Sequence, residues 1–130
     1  MPLFYVNEAG VTNSEASMTL TTPRDWTLAG VGELSLWFRG NTDNAADPLY
    51  VAISNSAGAP AVVAHDDPGA VTFSAWRQWV VSLQAFADQG ITLTDVDKIA
   101  IGLGTKAGMA AVGGSGTVFI DDIRLYRPAP

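Results

Sequence analysis

Two adjacent acids, Asp121 and Asp122, stand inside an apolar run, with Val118-Phe119-Ile120 before them and Ile123-Arg124-Leu125-Tyr126 after. The run is rich in β-branched and aromatic residues and follows the glycine-rich turn Gly113-Gly114-Ser115-Gly116, so it predicts a strand. Strand side chains alternate between faces, and at least one of the two carboxylates is therefore expected on the apolar side. Unpaired there, it would cost several kcal/mol, so it needs donors, a cation or a metal. The chain has only seven Lys and Arg, and none precedes Arg124 in this strand. A hard divalent cation, Ca²⁺, is then the expected partner. The same residues also admit a bulge that turns both acids to solvent.

Other residues with reactive chemistry are fewer. His65 is the single histidine and sits beside Asp66 and Asp67 in a Pro-Gly loop. It reads either as a metal ligand or general base, or as a solvated loop histidine. Asp43, Asn44 and Asp47 are oxygen-rich enough for a second calcium, but Asx-rich turns also satisfy their own backbones. One loop histidine supports no Ser–His–Asp arrangement. Gly102-Leu103-Gly104 lacks the helix that a phosphate-cradling glycine loop requires.

The elements that must position these groups are short strands. Leu3 to Val6 is apolar and aromatic, and Ser14 to Thr22 alternates, with Ala16, Met18 and Leu20 on one face and a break at Pro23-Arg24-Asp25. Glu33 to Gly40 alternates most clearly: Leu34, Leu36 and Phe38 share one face, Ser35, Trp37 and Arg39 the other. Further strands are expected over Leu49 to Ser54, Ala61 to Ala64, Trp76 to Leu83 (Trp79, Val81 and Leu83 inward) and Lys98 to Gly104. Gln84 to Gly90 reads as one helical turn ended by glycine. Regular short strands with almost no helix predict an all-β protein, a two-sheet antiparallel β-sandwich.

The 130 residues suit one domain with a sizeable core, and a 48% hydrophobic content argues against disorder. A net charge of −6 argues against nucleic acid or an anionic membrane as partner. No apolar run approaches the roughly 18 residues that span a bilayer. No signal peptide is read, Met1-Pro2 leading directly into a strand, so Met1 is expected to mark a domain boundary. Zero cysteines exclude disulfides and thiolate metal sites. Acidic balance and absent cysteine suit a secreted or cell-surface bacterial module. Residues 1–127 read as one module and Pro128-Ala129-Pro130 as the start of a linker.

Taken in order, Glu15 to Leu20, Leu34 to Gly40, Trp76 to Phe86, Val96 to Gly102 and Gly116 to Tyr126 resemble the β-jelly-roll carbohydrate-binding modules of the galactose-binding-like fold. The resemblance covers most of the chain and rests mainly on strand pattern. It implies a jelly roll with a structural calcium site and a sugar-binding surface. Carried onto this chain, it makes Asp121 the first candidate calcium ligand and Glu15 its partner, with Asp122 and Glu8 further candidates and carbonyls of the Asn7 to Asn13 loop completing the shell. The chain departs from the pattern in having no acid within its first strand.

Sugars offer apolar C–H faces and outward hydroxyls, so their sites combine aromatic platforms with charged or amide groups. Trp37 and Arg39 fit that chemistry; Tyr50 would join from the next strand and Arg77 or Gln78 from a third, provided that those strands are neighbours. Trp37 also admits the reading of a ring packed under a loop. Trp26 and Trp76 lie at strand ends, where either role is open, and Trp79 reads as core. Glycosidic hydrolysis usually needs two carboxyls facing across a cleft, whereas the acids here are adjacent on a strand or loop. The expectation is therefore a non-catalytic carbohydrate-binding module, monomeric and tethered within a larger protein. The alternative is a structural or adhesion domain of the same fold making protein contacts.

Overall fold

A computed structural model of the protein describes residues 2–6, 13–24, 32–44, 48–55, 60–67, 69–104 and 115–126. The described residues form eight strands: β1 (Pro2–Val6), β2 (Asn13–Arg24), β3 (Glu33–Arg39), β4 (Leu49–Ser54), β5 (Ala61–Ala64), β6 (Arg77–Ser82), β7 (Val96–Gly104) and β8 (Ser115–Tyr126). Among the described residues, one short helix, α1 (Leu83–Ala87), and two single 3₁₀ turns, Ala70–Thr72 and Leu93–Asp95, lie between strands. The strands form two four-stranded sheets, ordered β1-β8-β3-β6 and β2-β7-β4-β5. Every pairing is antiparallel.

The core lies between the sheets and is built by the alternation expected of half-buried strands. Leu34, Leu36 and Phe38 of β3, Trp79 and Val81 of β6, and Val118 and Ile120 of β8 meet Leu49, Val51 and Ile53 of β4 and Ile101 and Leu103 of β7. Each large side chain fully buried in this way contributes about 1.5–3 kcal/mol. Leu83 and Phe86 of α1 plug one edge, and Ser82 caps that helix by accepting the Gln84 amide at 3.3 Å.

Several boundaries differ from expectation, those of β2 and β6 among them. β2 runs on through Pro23 to Arg24, with its register against β7 shifting between Thr19 and Arg24. The irregular pairing there removes the ladder bond that a proline could not donate. β6 starts at Arg77, leaving Trp76 just outside the strand.

The loops are held by side-chain amides. Asn44 Nδ2 donates to the Val71 and Thr117 carbonyls at 2.9 and 2.8 Å, and Asn44 Oδ1 accepts the Thr117 amide at 3.0 Å. Thr117 pairs with β1, whereas pairing of β8 with β3 begins only at Phe119, so Asn44 serves the strand edge that β3 does not reach. Asn41 closes an Asx turn by accepting the Asp43 amide at 2.9 Å. The Asn41 and Asn44 side chains thus serve the backbone of this loop. Asp47 and residues 128–130 lie outside the described residues.

Candidate functional site

The outer face of the β1-β8-β3-β6 sheet carries a grid of side chains set by register. Trp37 stands between Gln78 of β6 and Asp121 of β8, and Ser35 between Val80 and Arg124. Arg39 stands beside Phe119, with Trp76 continuing the same row beyond the end of β6. Adjacent strands lie about 4.7–4.9 Å apart and diagonal neighbours about 7–8 Å, so Trp37 and Trp76 sit as two close platforms. Both rings are open to solvent, Trp37 at 37% and Trp76 at 43%.

Trp76 is brought there by the segment before it. The Gly40 amide donates to the Phe73 carbonyl at 3.0 Å and the Asn41 amide to the Val71 carbonyl at 3.1 Å, tying residues 71–73 to the end of β3. Buried Ala70 and Val71 anchor the 3₁₀ turn. The Arg39 guanidinium lies 5.5 Å from the Trp76 ring centre and 4.9 Å from that of Phe119. Such exposed cation–π contacts are worth about 0.5–1 kcal/mol each and hold the ring in place. Gln78 Nε2 donates to Ser35 Oγ at 2.8 Å, which fixes the polar group beside Trp37.

On the other side of Trp37 the sheet is irregular. Trp37 pairs with Asp121 and Ser35 with Arg124, so two residues of β8, Asp122 and Ile123, oppose the single Leu36. This β-bulge puts Asp122 at φ 54°, a left-handed conformation that aspartate tolerates better than most residues. Both acids are exposed. Asp121 Oδ1 accepts the Asp122 amide at 2.8 Å, and Arg124 Nε donates to Asp122 Oδ1 at 2.6 Å. Trp37, Trp76, Asp121 and Asp122 together line an open cleft of about 310 Å³.

The expectation that a carboxylate of this pair points into the apolar layer is therefore corrected: the extra residue in β8 turns both outward. The ligand set Glu15, Asp121 and Asp122 does not fit one calcium ion. Glu15 pairs with Gly102 of β7, and Gly102 in turn with Tyr50, on the outer face of the opposite sheet. There Glu15 Oε2 accepts the Tyr50 hydroxyl at 2.6 Å. Asp121 and Asp122 lie on the outer face of the first sheet, with the whole core between. Among the described residues no three His, Asp or Glu side chains gather as a metal site. Residues 7–12, including Glu8 and most of the carbonyls expected to complete the shell, lie outside the described residues.

Tyr50 is likewise separated from Trp37 and Arg39: β4 belongs to the other sheet, and Tyr50 is only 1% exposed among Ala52, Ala100 and Val62. Arg77 pairs opposite inward-facing Phe38 at the sheet rim and lies 5.3 Å from the Phe73 ring centre, so the register sets it on the other face from the cleft, outside its lining. Trp37, Arg39 and Trp76 do share one face. Phe119, which orders Arg39, alternates with inward Val118 and Ile120, a pattern that already marks it as outward. Trp26 lies outside the described residues.

His65 is no part of this cleft. Its ring sits 5.6 Å from Phe38 and 5.1 Å from Trp79, centre to centre, and its Nδ1 accepts the Asp67 amide at 3.0 Å. Burial, then the Arg77 charge, hold its pKa below the usual value, against the opposing pull of Asp67 and Asp66.

No protein-family model matches the sequence, and no curated protein matches it. Solved structures do. An exo-β-agarase superposes with a TM-score of 0.68 at 15% identity, over 92% of this chain and 19% of the agarase. The protein PfGH50B superposes with a TM-score of 0.67 at 15% identity, over 99% of this chain and 20% of its own. The chain thus spans about a fifth of the length of these two proteins. A family 11 carbohydrate-binding module from Clostridium thermocellum, solved in complex with a β-1,3-1,4-mixed-linked tetrasaccharide, superposes with a TM-score of 0.54 at 12% identity, over 95% of this chain and 87% of the module. At such identities the likeness is one of fold, and the fold is the jelly-roll β-sandwich of these modules.

Proposed function

We propose that this chain is a non-catalytic module that binds carbohydrate in the cleft of Trp37, Trp76, Asp121 and Asp122. The observation that carries the reading is the pairing of two exposed indole platforms with hydrogen-bonding acids on one sheet face. A pyranose lays its C–H face on an indole and turns its hydroxyls to the carboxylates, which accept charge-assisted hydrogen bonds. Arg39 and Gln78, already held by Trp76, Phe119 and Ser35, keep the face preorganised and polar. Those polar groups between the aromatics favour sugar over a dry protein contact, which is the adhesion reading. The two acids stand side by side on one strand, not across a cleft, which supports binding without hydrolysis. The module's place is within a larger secreted or surface protein, in keeping with its likeness to one fifth of the agarase.

Tryptophan fluorescence titrated with a panel of polysaccharides tests this. At least one glycan should change the emission, and Trp37→Ala should weaken that binding by about 2 kcal/mol, roughly thirtyfold, the scale of a central aromatic anchor. No response to any glycan, or an unchanged affinity in Trp37→Ala, would refute it.

A further inference from the structure

We propose that the Asp121–Asp122 bulge is the specificity element of this cleft, one that selects uncharged polysaccharide and turns away polyanionic chains. The inference rests on the carbohydrate reading above and concerns the class of glycan. In an unbroken strand Asp122 would face the core; the extra residue and the left-handed backbone at φ 54° instead set it beside Asp121 in the cleft. Each carboxylate has one oxygen engaged, Asp121 Oδ1 by the Asp122 amide and Asp122 Oδ1 by Arg124 Nε. Neither second oxygen receives a hydrogen bond from a described side chain or amide, so the pair presents two adjacent acceptors.

A carboxylate only accepts, and its ligand must donate. Two neighbouring hydroxyls of one sugar unit, with its C–H face on Trp37 or Trp76, meet that requirement. A uronate carboxylate or a sulfate group adds a further negative charge and is itself no donor, against a chain whose net charge is already −6. Arg124 is paired with Asp122 and Arg39 is held between Trp76 and Phe119, so among the described residues Asp121 is the one of the two carboxylates left without an ion pair. Keeping a non-glycine residue in a left-handed conformation is unfavourable, and such strain is characteristic of functional positions.

The test is affinity electrophoresis at low salt through gels holding matched polymers: hydroxyethyl cellulose beside carboxymethyl cellulose, mixed-linkage β-glucan beside its carboxymethyl derivative, and agarose beside a sulfated galactan. The wild-type protein should bind a neutral polymer at least tenfold more tightly than its anionic counterpart. In Asp121→Asn and Asp122→Asn that ratio should shrink severalfold. Asp122→Gly, which suits the backbone, should match or exceed the wild-type melting temperature yet lose about tenfold in affinity for the neutral polymer. Equal or tighter binding of the anionic polymers, still dependent on Trp37, overturns this inference and leaves the carbohydrate reading standing. Full affinity and discrimination in Asp122→Gly also overturns it. Binding to no polymer of either kind refutes both.

Discussion

Replacing Gly40 with alanine should both destabilise the sandwich and disorganise the cleft. A Cβ built on Gly40 would lie 1.8 Å from the Val71 carbonyl oxygen, 2.4 Å from its carbon and 2.8 Å from Val71 Cα. All three are backbone atoms, so no side chain can swing aside. Making room means moving residues 71–73 away from the end of β3, which breaks the Gly40-to-Phe73 and Asn41-to-Val71 hydrogen bonds. Overpacking costs about 1–3 kcal/mol, and each lost hydrogen bond about 0.5–1.5 kcal/mol. The expected loss is about 2–6 kcal/mol, a large part of the roughly 5–15 kcal/mol of a typical domain. At about 4 °C per kcal/mol for this length, the melting temperature falls by on the order of 8–24 °C. Circular dichroism melts measure it, and the fluorescence titration on surviving folded protein should show weakened binding, because Trp76 follows the displaced segment. Gly90→Ala is the control: Gly90 has a φ of 98° but nothing within 4 Å of the added carbon, so only about 1 kcal/mol of backbone strain is expected. A Gly40→Ala melting temperature within about 3 °C of wild type, below the smallest shift expected, would refute the reasoning.

Two further predictions concern the scaffold. His65 has a folded-state pKa below its unfolded value of 6.5, so the unfolded chain binds more protons between the two. Its contribution to stability is full above that value, is lost as the pH falls through it, and levels off below the folded pKa. Melting temperatures at about pH 7.5 and 5.5 should therefore differ more in wild type than in His65→Gln; an equal difference would contradict this. Gln89 closes the exposed edge of β5, accepting the Val62 amide at 3.0 Å and donating to the Val62 carbonyl at 2.8 Å. Gln89→Ala should reopen that edge and produce concentration-dependent self-association in sedimentation velocity, with a stability loss of about 1–3 kcal/mol. A monodisperse variant of unchanged stability would show that the edge is protected otherwise.

The alternation of β3 was legible because a two-residue period is a local property: Leu34, Leu36 and Phe38 go in, and Trp37 and Arg39 come out. Trp79 as a core residue followed from the same rule. What failed was non-local. The direction of Asp122 depends on how many residues β8 spends between its pairings with Trp37 and Ser35, a count that involves a partner strand more than 80 positions away. The Asp-Asp dipeptide hinted at a bulge, since a strand rarely places two acids on successive faces with an apolar layer on one side. Tyr50 was misplaced for a related reason: its strand alternates equally well in either sheet, and only the strand order separates it from Trp37. Trp76 was ambiguous because the hydrogen bonds from Gly40 and Asn41, not its own neighbours in sequence, carry it to Arg39.

The four tryptophans allow the most direct measurement, because Trp37 and Trp76 line the cleft while Trp79 is buried in the core. Indole N–H resonances assigned by single substitutions, followed in ¹H–¹⁵N spectra during titration with a binding oligosaccharide, report on each ring separately. The Trp37 and Trp76 signals should move in a saturable way with one shared dissociation constant while that of Trp79 stays in place. Saturable binding that leaves both cleft signals unmoved would contradict the account.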